Sequence, residues 1–276
     1  MKKIKFSNVM LWAGLAFLYL PMLILVVYSF NSSKLVTIWA GFSIKWYGEL
    51  FRDQQMLDAV WISLKIAFFS SFTAVILGTM AAFVMTRFRH SWAKLTLSNM
   101  ITAPLVMPEV ITGLSLMLLF VAMADTLGWP KERGMMTVWI AHSTFCAAYV
   151  AVVVSARLRE LDRSIEEAAL DLGASPLKTF FLITVPMISP SLLAGWFLSF
   201  SLSLDDLVIA SFVSGPGSTT LPMVVFSSVR MGVSPKINAL ATIIILIVSL
   251  IALLSWYLTR RKEKRELALN QQANLS

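Results

Sequence analysis

Residues 167–186 read Glu-Ala-Ala-Leu-Asp-Leu-Gly-Ala-Ser-Pro-Leu-Lys-Thr-Phe-Phe-Leu-Ile-Thr-Val-Pro, and we call this stretch the polar island. It is amphipathic and lies between two long apolar runs. A helix needs about 20 consecutive apolar residues to cross a bilayer, and the flanking runs are of that length. The island is therefore predicted to be a loop at the membrane surface that meets a partner outside the membrane.

The composition supports a membrane protein throughout the chain. Of 276 residues, 58% are hydrophobic and only 14% are charged, with a mean hydropathy of +0.77. A soluble domain normally carries about 25% charged residues. The single cysteine, Cys146, excludes a disulfide framework and a multi-cysteine metal site. Because it lies in an apolar run, we interpret it as a packing residue.

Six long apolar runs predict an all-α polytopic membrane protein, with residues 1–276 forming a single transmembrane domain. The first run follows a basic start, as in a signal peptide, but it exceeds the roughly 7–15 residues of a signal-peptide core and has no obvious cleavage pattern. We therefore predict a retained helix. The six spans are predicted near Val9–Phe30, Val60–Thr86, Ile101–Ala124, Met135–Ser155, Met187–Val213 and Asn238–Thr259.

The distribution of positive charge predicts the topology. With six spans both termini share one side, and that side collects 15 of the 23 lysines and arginines. Cytoplasmic loops carry such an excess. Both termini, the 87–100 loop and the polar island are therefore predicted to be cytoplasmic. Lys65 falls near the outer end of the second span, where its stem can snorkel to the surface.

The remaining segments are predicted to lie at or outside the membrane surface. Tryptophan and tyrosine favour the membrane–water boundary, so the mixed segment Lys34–Asp58 is placed there. The outer loops include Asp125–Gly134 and Ser214–Ile237, and the glycine and proline content of the second argues against one continuous helix. The net charge of +8 does not indicate nucleic-acid binding, because the basic residues flank the apolar runs.

The polar island and the residues before it predict two short helices that meet at a glycine corner. Ser164 and Glu167 fit a capping box with Ser164 as N-cap. Gly173 suits the left-handed residue that ends a helix. Ser175 and Pro176 can start a second helix, since proline is tolerated at its first position. That helix has an apolar face formed by Leu177, Phe180 and Phe181.

Three interpretations of the island compete. A structured loop without a partner is the simplest, and composition alone leaves it open. A DNA-binding helix-turn-helix is disfavoured, because the adjoining spans would keep its helix out of a major groove. Docking to a cytoplasmic motor is favoured by the spacing of the conspicuous residues, which are Glu167, Gly173, Ile183 and Pro186.

The pattern Glu-Ala-Ala-x3-Gly-x9-Ile-x-Val-Pro resembles the cytoplasmic coupling loop of the permease subunits of ATP-binding-cassette (ABC) importers. The resemblance covers a permease core at residues 58–255, with the coupling loop at 157–186. It departs from the family at Val185, where leucine is common. It implies the type I importer fold and a first helix that sits in a groove of the ATPase subunit. The implied contact or corner residues are Glu167, Ala168, Ala169 and Gly173.

The chain contains no Gly-x4-Gly-Lys-Ser/Thr phosphate-binding loop. The ATPase is therefore expected to be another polypeptide, which binds ATP and magnesium. For this chain we predict no catalytic residue, no metal site and no cofactor. It is expected to be a transport subunit and not an enzyme.

Three acidic residues lie within or at the ends of the apolar runs, namely Glu109, Asp205 and Asp206. An ionised carboxylate inside the membrane costs roughly 3 kcal/mol unless it is paired or wetted, so such residues are usually functional. No basic residue lies deep in the spans to neutralise them. The carboxylates therefore suit a cationic substrate.

The roles expected for these acids differ. Asp206 shares a helical face with Ser199 and Ser203, and we assign it to the substrate pathway. Asp205 is expected to have a packing or gating role. Glu109 follows a proline and either caps a helix segment or lines the path. Trp196, Phe197 and Phe200 are expected to pack in the core, with cation–π contacts as a weaker alternative. His142 is expected to be packed and hydrogen-bonded, and His90 to lie in a cytoplasmic loop.

Four runs resemble the polyamine branch of these importers, at residues 18–31, 103–113, 158–169 and 203–217. This resemblance implies import of putrescine or a related polyamine across the bacterial inner membrane. It also implies a second permease subunit, a dimer of ATPase subunits and a periplasmic polyamine-binding protein, besides membrane lipid. The choice between putrescine and spermidine stays open.

Two other functions are weighed against an ABC importer. One is a stand-alone, ion-coupled secondary transporter of organic cations, and the other is a receptor or assembly factor. No convincing internal repeat is visible, although many secondary transporters are built from repeats. The polar island also has no evident purpose in either alternative. Both are therefore disfavoured.

Overall fold

The structure is a computed structural model that describes residues 6–34, 38–87, 92–231 and 234–273. These residues form helices joined by short connections, without a β-strand among them. In chain order the helices are α1 Phe6–Ser29, α2 Lys45–Leu50, α3 Gln54–Arg87, α4 Trp92–Val106, α5 Glu109–Leu127, α6 Met135–Glu160, α7 Arg163–Asp171, α8 Pro176–Thr179, α9 Val185–Asp205, α10 Val208–Val213, α11 Leu221–Met231 and α12 Pro235–Ala273.

Six helical segments of the described chain are long and apolar enough to cross a membrane. The all-α, six-span fold is therefore confirmed, and α8 and α9 form one continuous segment through a π-helical turn at Phe180–Thr184. The six segments are Asn8–Ser29, Gln54–Arg87, Glu109–Leu127, Met135–Glu160, Pro176–Asp205 and Pro235–Leu254.

The predicted third span, Ile101–Ala124, was wrong as a continuous helix. The structure ends α4 at Val106 and begins α5 at Glu109, with an extended backbone at Pro108 (ψ 134°). A residue that precedes proline is disfavoured in the helical region, so Met107 is where the helix stops. Hydropathy did not reveal the break because the residues on both sides of it are apolar.

The predicted fifth span, Met187–Val213, was wrong at both ends. The helical segment starts at Pro176, and α9 ends at Asp205 before an extended residue (ψ 122°) leads into α10. Pro186 cannot donate a backbone hydrogen bond and would clash with the carbonyl of Leu182 in a regular α-helix. The π-helical turn widens the helix at Leu182 and accommodates the proline.

The chain divides into two compact units, which we describe separately. The first comprises residues 1–54 and 227–276. Within it, α12 packs against α1 and α2. The α2 side chain Trp46 is buried, and its Nε1 donates to the Asn31 carbonyl oxygen at 2.6 Å. Lys236 Nζ lies 3.1 Å from Asp53 Oδ2, which ties the start of α12 to the segment before α3.

The second unit, residues 55–226, is built around α6. About 61% of its most apolar window is buried, against 11% for α5, which makes α6 the central helix. It packs against α9, α10 and α4. Cys146 is fully buried on α6, in agreement with the packing role that was predicted for it.

Helices α3 and α6 lie side by side and run in the same direction. Near one end, Ser70 Oγ donates to the Trp139 carbonyl oxygen at 3.3 Å. In the middle, a Cβ atom added to Gly78 would lie 2.7 Å from the Ala147 carbonyl oxygen, so only glycine allows this approach. Near the other end, the Arg87 guanidinium donates to a carbonyl of α6. The two helices therefore form a tightly packed parallel pair.

Some predictions fall partly or wholly outside the described residues. Within the predicted 87–100 loop, the residues from Trp92 onward are helical in α4, and residues 88–91 lie outside the described part of the chain. The segment 214–237 holds a short helix, α11, and is not one continuous helix. The residues of the predicted cytoplasmic set that lie outside the description are Lys2, Lys3, Lys5, Arg89 and His90.

Candidate functional site

The region around the polar island folds as two short helices with a glycine corner between them, as predicted. Helix α7 ends at Asp171, and Gly173 takes the left-handed conformation with φ +85°. Ser175 is the N-cap of α8, where its Oγ accepts a hydrogen bond from the Lys178 amide at 3.4 Å. The corner therefore rests on local sequence signals: a glycine at the C-terminus of one helix and a Ser-Pro start for the next.

The predicted cap of α7 was wrong by two residues. Asp162 is the N-cap, and its Oδ1 accepts a hydrogen bond from the Ser164 amide at 2.9 Å. Hydrogen bonds from the Ser164 amide and hydroxyl hold the pKa of the Asp162 carboxyl below its usual range. Aspartate caps helices as well as serine does, so the earlier residue takes the position. Glu167 is left exposed.

Glu166 fastens α7 to the membrane helices. Its carboxylate forms a two-point ion pair with Arg87 at the end of α3, with Nε–Oε2 at 2.9 Å and Nη2–Oε1 at 3.0 Å. Thr184, in the π-helical turn before α9, donates to Glu166 Oε1 at 2.9 Å. The Glu166 and Arg87 side chains are only 16% and 10% exposed. The Nη2–Oε1 contact is a charge-assisted hydrogen bond, which fixes geometry as well as charge, and the Nε–Oε2 contact adds ion pairing without hydrogen-bond alignment.

Two further bonds accompany the contacts of Glu166 with Arg87 and Thr184, and we call the whole set the anchor. Arg163 Nη2 donates to the Thr86 carbonyl oxygen at 2.7 Å, which connects the start of α7 to the end of α3. Arg87 Nη1 donates to the Leu158 carbonyl oxygen at 3.2 Å, near the end of α6. The anchor therefore includes three membrane helices. The anchor was not predicted from the sequence, in which the neighbouring acids Glu166 and Glu167 look equivalent.

The opposite side of the island is open. Glu167, Ala168 and Gly173 are exposed, and Ala169 is half-buried. Large apolar side chains lie beside them, with Leu172 90% and Leu177 71% exposed. An exposed apolar surface on a helix that is held in place, as α7 is, is typical of a protein–protein contact. The four residues implied by the resemblance therefore lie together on or beside an exposed, partly apolar surface.

Asp206 is a buried carboxylate that caps a helix. Its Oδ2 accepts from the Ala210 amide at 2.7 Å, and its Oδ1 accepts from the Ile209 amide at 3.3 Å. These are amides of the first turn of α10, where a negative charge is favourable. The His142 Nε2 atom of α6 lies 3.1 Å from Asp206 Oδ2. Asp206 thus holds the bend between α9 and α10.

His142 completes this buried network. Its Nδ1 lies 2.7 Å from Ser203 Oγ, while its Nε2 faces Asp206. The arrangement is satisfied if Nε2–H donates to the carboxylate and the serine hydroxyl donates to Nδ1. The prediction of a packed, hydrogen-bonded histidine is confirmed. Ser199 and Ser203 are buried on the same face as Asp206, also as predicted.

The environments of the two neighbouring aspartates differ from those that their predicted roles require. Asp205, for which a packing or gating role was predicted, is exposed at the end of α9, whereas Asp206, which was assigned to the pathway, is buried in the network. Glu109 is the first residue of α5 and is exposed, in agreement with its predicted place at a helix start. Trp196 stacks on Phe200 at 5.3 Å and contacts Phe68 of α3 edge-on. These rings therefore pack with one another.

Comparison with known proteins gives consistent matches over most of the chain. The sequence profile described as "Binding-protein-dependent transport system inner membrane component" matches residues 74–266. The putrescine transport system permease protein PotI of Escherichia coli is 64% identical over 96% of this chain and 94% of its own length. The spermidine/putrescine transport system permease protein PotC of Escherichia coli is 39% identical over 90% of this chain and 92% of its own.

Solved structures share the fold at low sequence identity. A chain from the crystal structure of a bacterial ABC transporter involved in the import of the acidic polysaccharide alginate superposes with a TM-score of 0.69. It is 16% identical and covers 89% of this chain and 91% of its own. A chain of the MetNI methionine ABC transporter, crystallised in inward-facing conformations, gives a TM-score of 0.58 over 73% of this chain and 91% of its own, also at 16% identity.

Proposed function

The chain belongs to the family of binding-protein-dependent transport system inner membrane components, and from this premise we propose that it is the permease subunit of an ATP-driven polyamine importer. Putrescine is the proposed substrate. The observation that carries this choice is the 64% identity, over 96% of the chain, to a putrescine transport permease. The chain is a multi-pass inner-membrane protein and a transport subunit.

ATP hydrolysis is assigned to a separate subunit, which binds ATP and magnesium. The sequence lacks a phosphate-binding loop, so the energy must enter through a contact. We place that contact on the exposed side of α7 and the glycine corner, with Glu167, Ala168 and Ala169 on the helix and Gly173 at the corner. The exposed Leu172 beside them supports this assignment, because it offers apolar surface to a partner.

The anchor connects the docked helix α7 to the membrane helices, so that a movement of α7 is passed on to them. Movement of α7 is transmitted to α3 through the Glu166–Arg87 pair. It is transmitted to α9 through the bond between Glu166 and Thr184. Helix α9 in turn ends at Asp205. A shift imposed by the ATPase therefore reaches the helix that carries the proposed substrate contact.

Exposed carboxylates are proposed to guide the cation. Asp205 and Glu109 are accessible on the surface of this chain, whereas Asp206 is held by His142 and two backbone amides. An accessible carboxylate can exchange water for an ammonium group, but a buried one that already accepts several bonds must first lose them. We therefore assign Asp205 and Glu109 to direct contact with the cationic substrate. Asp206 is assigned a supporting role, in which it holds the backbone next to the pathway.

The remaining partners and the orientation follow from the same proposal. A second permease subunit completes the translocation path, two ATPase subunits bind on the cytoplasmic side, and a periplasmic polyamine-binding protein delivers the substrate. The bias of 15 lysines and arginines to one side supports cytoplasmic termini. On this orientation the polar island faces the ATPase.

The proposal is tested by reconstitution. The tagged chain is expected to co-purify with a second permease and an ATPase, and the complex in proteoliposomes should take up labelled putrescine only with ATP and the binding protein. Uptake by this chain alone, driven by an ion gradient, would overturn the proposal in favour of a secondary transporter. ATP-driven uptake that excess unlabelled putrescine does not compete with would overturn the substrate assignment.

A further inference from the structure

A groove of about 310 Å³ opens between α3 and α6, and neither the coupling region nor any of the three acidic residues lines it. It contains one charged side chain in an otherwise apolar wall, so its chemistry combines a single cation with hydrocarbon. We call it the Lys65 groove. Its lining residues are Lys65, Ile66, Phe69, Met135, Met136 and Trp139.

The groove lies at the depth of lipid headgroups. Lys65 and Arg87 are on the same continuous helix, and a rise of 1.5 Å per residue separates them by about 33 Å along its axis. The hydrocarbon core of a bilayer is about 30 Å thick. With Arg87 at one boundary, Lys65 therefore lies at the other, where phospholipid phosphates are found.

The Lys65 ammonium group is available to an anion. It lies 5.0 Å from the ring centroid of Trp61, one turn earlier on α3, in a cation–π contact. Among the described residues, no carboxylate forms an ion pair with it. An ammonium group has three donors, and an aromatic face does not satisfy them as an oxygen acceptor does. The Lys65 ammonium group therefore presents a positive charge and N–H donors to a ligand in the groove.

The walls of the groove suit an acyl chain. Trp139 is fixed in place because its Nε1 donates to Thr73 Oγ1 at 3.2 Å, which leaves the ring to form an apolar wall. Met135 and Met136 form the edge, and their flexible thioether side chains adapt to an irregular hydrocarbon. A free phosphate ion would meet only one donor group here, because the other lining side chains offer it none.

We propose that the Lys65 groove binds a phospholipid, with the headgroup phosphate on Lys65 and one acyl chain along Phe69 and Trp139. A polyamine does not fit, since its ammonium groups would be repelled by the lysine. Phosphatidylglycerol fits better than phosphatidylethanolamine, because the ethanolamine ammonium would be placed near Lys65. One lysine close to an anionic lipid strengthens binding about five-fold.

The experiment titrates the purified complex in detergent with phosphatidylglycerol and counts bound lipid by native mass spectrometry. Lys65→Gln is expected to weaken the tightest lipid site about five-fold. The matched control is Lys45→Gln, because Lys45 also lies over a tryptophan ring, at 4.5 Å from Trp46, but does not line the groove. This control should bind phosphatidylglycerol like the unchanged complex.

Two additional measurements separate the possible occupants. Met136→Trp fills the groove while keeping Lys65, and it should also remove the tightest site if an acyl chain occupies the groove. Inorganic phosphate at millimolar concentration should not displace the lipid. Equal lipid binding by Lys65→Gln and Lys45→Gln would overturn the proposal, as would displacement by inorganic phosphate. Loss of the second permease subunit from Lys65→Gln, with lipid binding unchanged, would make the groove a subunit interface and would also overturn it.

Discussion

Asp205 and Asp206 are consecutive in the sequence but have opposite environments. Asp205 is exposed at the last residue of α9, and Asp206 is buried between α6 and α10. Asp206 accepts hydrogen bonds from His142, Ile209 and Ala210, so its oxygens are already occupied within the protein. One carboxylate therefore serves the fold, and its neighbour is free to serve transport.

The first prediction separates these two roles by neutralising each aspartate. Asp206→Asn loses an acceptor oxygen in a buried site, which should destabilise the fold by about 1–3 kcal/mol. Asp205→Asn should leave the apparent melting temperature of the complex unchanged, because the side chain is exposed. It should lower the putrescine uptake rate roughly ten-fold through loss of a charge-assisted contact.

The measurements are thermal unfolding in detergent and ATP-dependent uptake in proteoliposomes, with both variants at equal protein content. Each variant is the control for the other, since the substitutions are chemically identical and adjacent in sequence. Normal uptake by Asp205→Asn would remove Asp205 from the pathway. An unchanged melting temperature for Asp206→Asn would mean that the buried network contributes little stability.

The second prediction at the residue scale concerns the anchor of α7. Glu166→Gln leaves the guanidinium of Arg87 largely buried without its carboxylate, which should cost about 3 kcal/mol. The control is Glu160→Gln in the same region. Glu160 pairs with Arg157 at 3.1 Å, but both side chains are well exposed, so its loss should cost at most about 1 kcal/mol.

The same pair of variants reports on coupling. We expect Glu166→Gln to raise ATP hydrolysis without matching uptake, because α7 would remain docked while its link to α3 and α9 is weakened. Glu160→Gln should keep the normal ratio of ATP hydrolysed to putrescine transported. A normal ratio for both variants would show that movement reaches the membrane by another route.

At the scale of elements, the glycine corner sets the angle between α7 and α8. Gly173 has φ +85°, and its amide donates to the Leu170 carbonyl oxygen at 2.9 Å. An added Cβ would meet nothing within 4 Å, so the requirement for glycine here is conformational and not steric. The corner can therefore tolerate a small side chain at a moderate energetic cost but not a fixed negative φ.

The third prediction is that Gly173→Pro abolishes ATP-dependent uptake while the chain still inserts in the membrane. Proline locks φ near −65° and removes the amide donor, so the corner must change its angle. Gly173→Ala keeps the amide and costs only about 1 kcal/mol, so it should retain most activity. The measurements are membrane content, co-purifying ATPase and uptake.

A second glycine with positive φ, outside the polar island, provides a control for the position of the substitution. Gly128 follows α5 with φ +68° and also has open space around an added Cβ. Gly128→Pro introduces the same backbone conflict away from the polar island, and it should leave the ATPase bound. Normal uptake by Gly173→Pro at normal expression, or loss of the ATPase from Gly128→Pro, would contradict the assignment of coupling to the Gly173 corner.

At the scale of the whole molecule, the helices differ in how much of their apolar surface is buried within this chain. About 61% of the apolar window of α6 is buried, but none of the α1 window and only 11% of the α5 window. Apolar surface that the chain does not cover must meet lipid or other subunits. The permease is therefore a subunit whose outer helices are completed by its surroundings.

The fourth prediction tests the orientation with single cysteines. The one native cysteine, Cys146, is fully buried and gives little background labelling. Leu172→Cys places a cysteine in the polar island, and Leu127→Cys places one at the last residue of α5, on the opposite side of the membrane in the proposed topology. Both leucines are well exposed. A membrane-impermeant maleimide applied to spheroplasts should label the cysteine at 127 but not the one at 172.

After permeabilisation, the cysteine at 172 should become reactive in the chain alone and stay protected in the complex with the ATPase. Labelling of position 172 in sealed spheroplasts would reverse the proposed topology. Equal labelling at 172 with and without the ATPase would remove this surface from the docking interface. The cysteine at 127 serves as the control, because ATPase binding should not change its reactivity.

Local signals in the sequence predicted much of the coupling region. The left-handed Gly173, the Ser175 cap and the helix start at Glu109 depend on residues close in the chain, and the structure confirms them. The N-cap of α7 was misplaced because Asp162 and Ser164 are both good caps and only the geometry decides between them. The predicted span Ile101–Ala124 nevertheless ran across the break at Pro108, because hydropathy does not register a single proline in an apolar run.

The sequence by itself determined the number of spans and the position of the polar island, because hydrophobic length and turn chemistry act over short stretches. Only the tertiary structure decided which of two adjacent acids is anchored, for Glu166 and Glu167 and again for Asp205 and Asp206. Glu166 and Glu167 are neighbours on α7 and point about 100° apart, whereas the backbone turns extended at Asp206 just after α9 ends, so in each pair one acid faces the packed bundle and the other does not. The choice depends on Arg87 and His142, which lie more than sixty residues away in the chain and come close only when the helices pack.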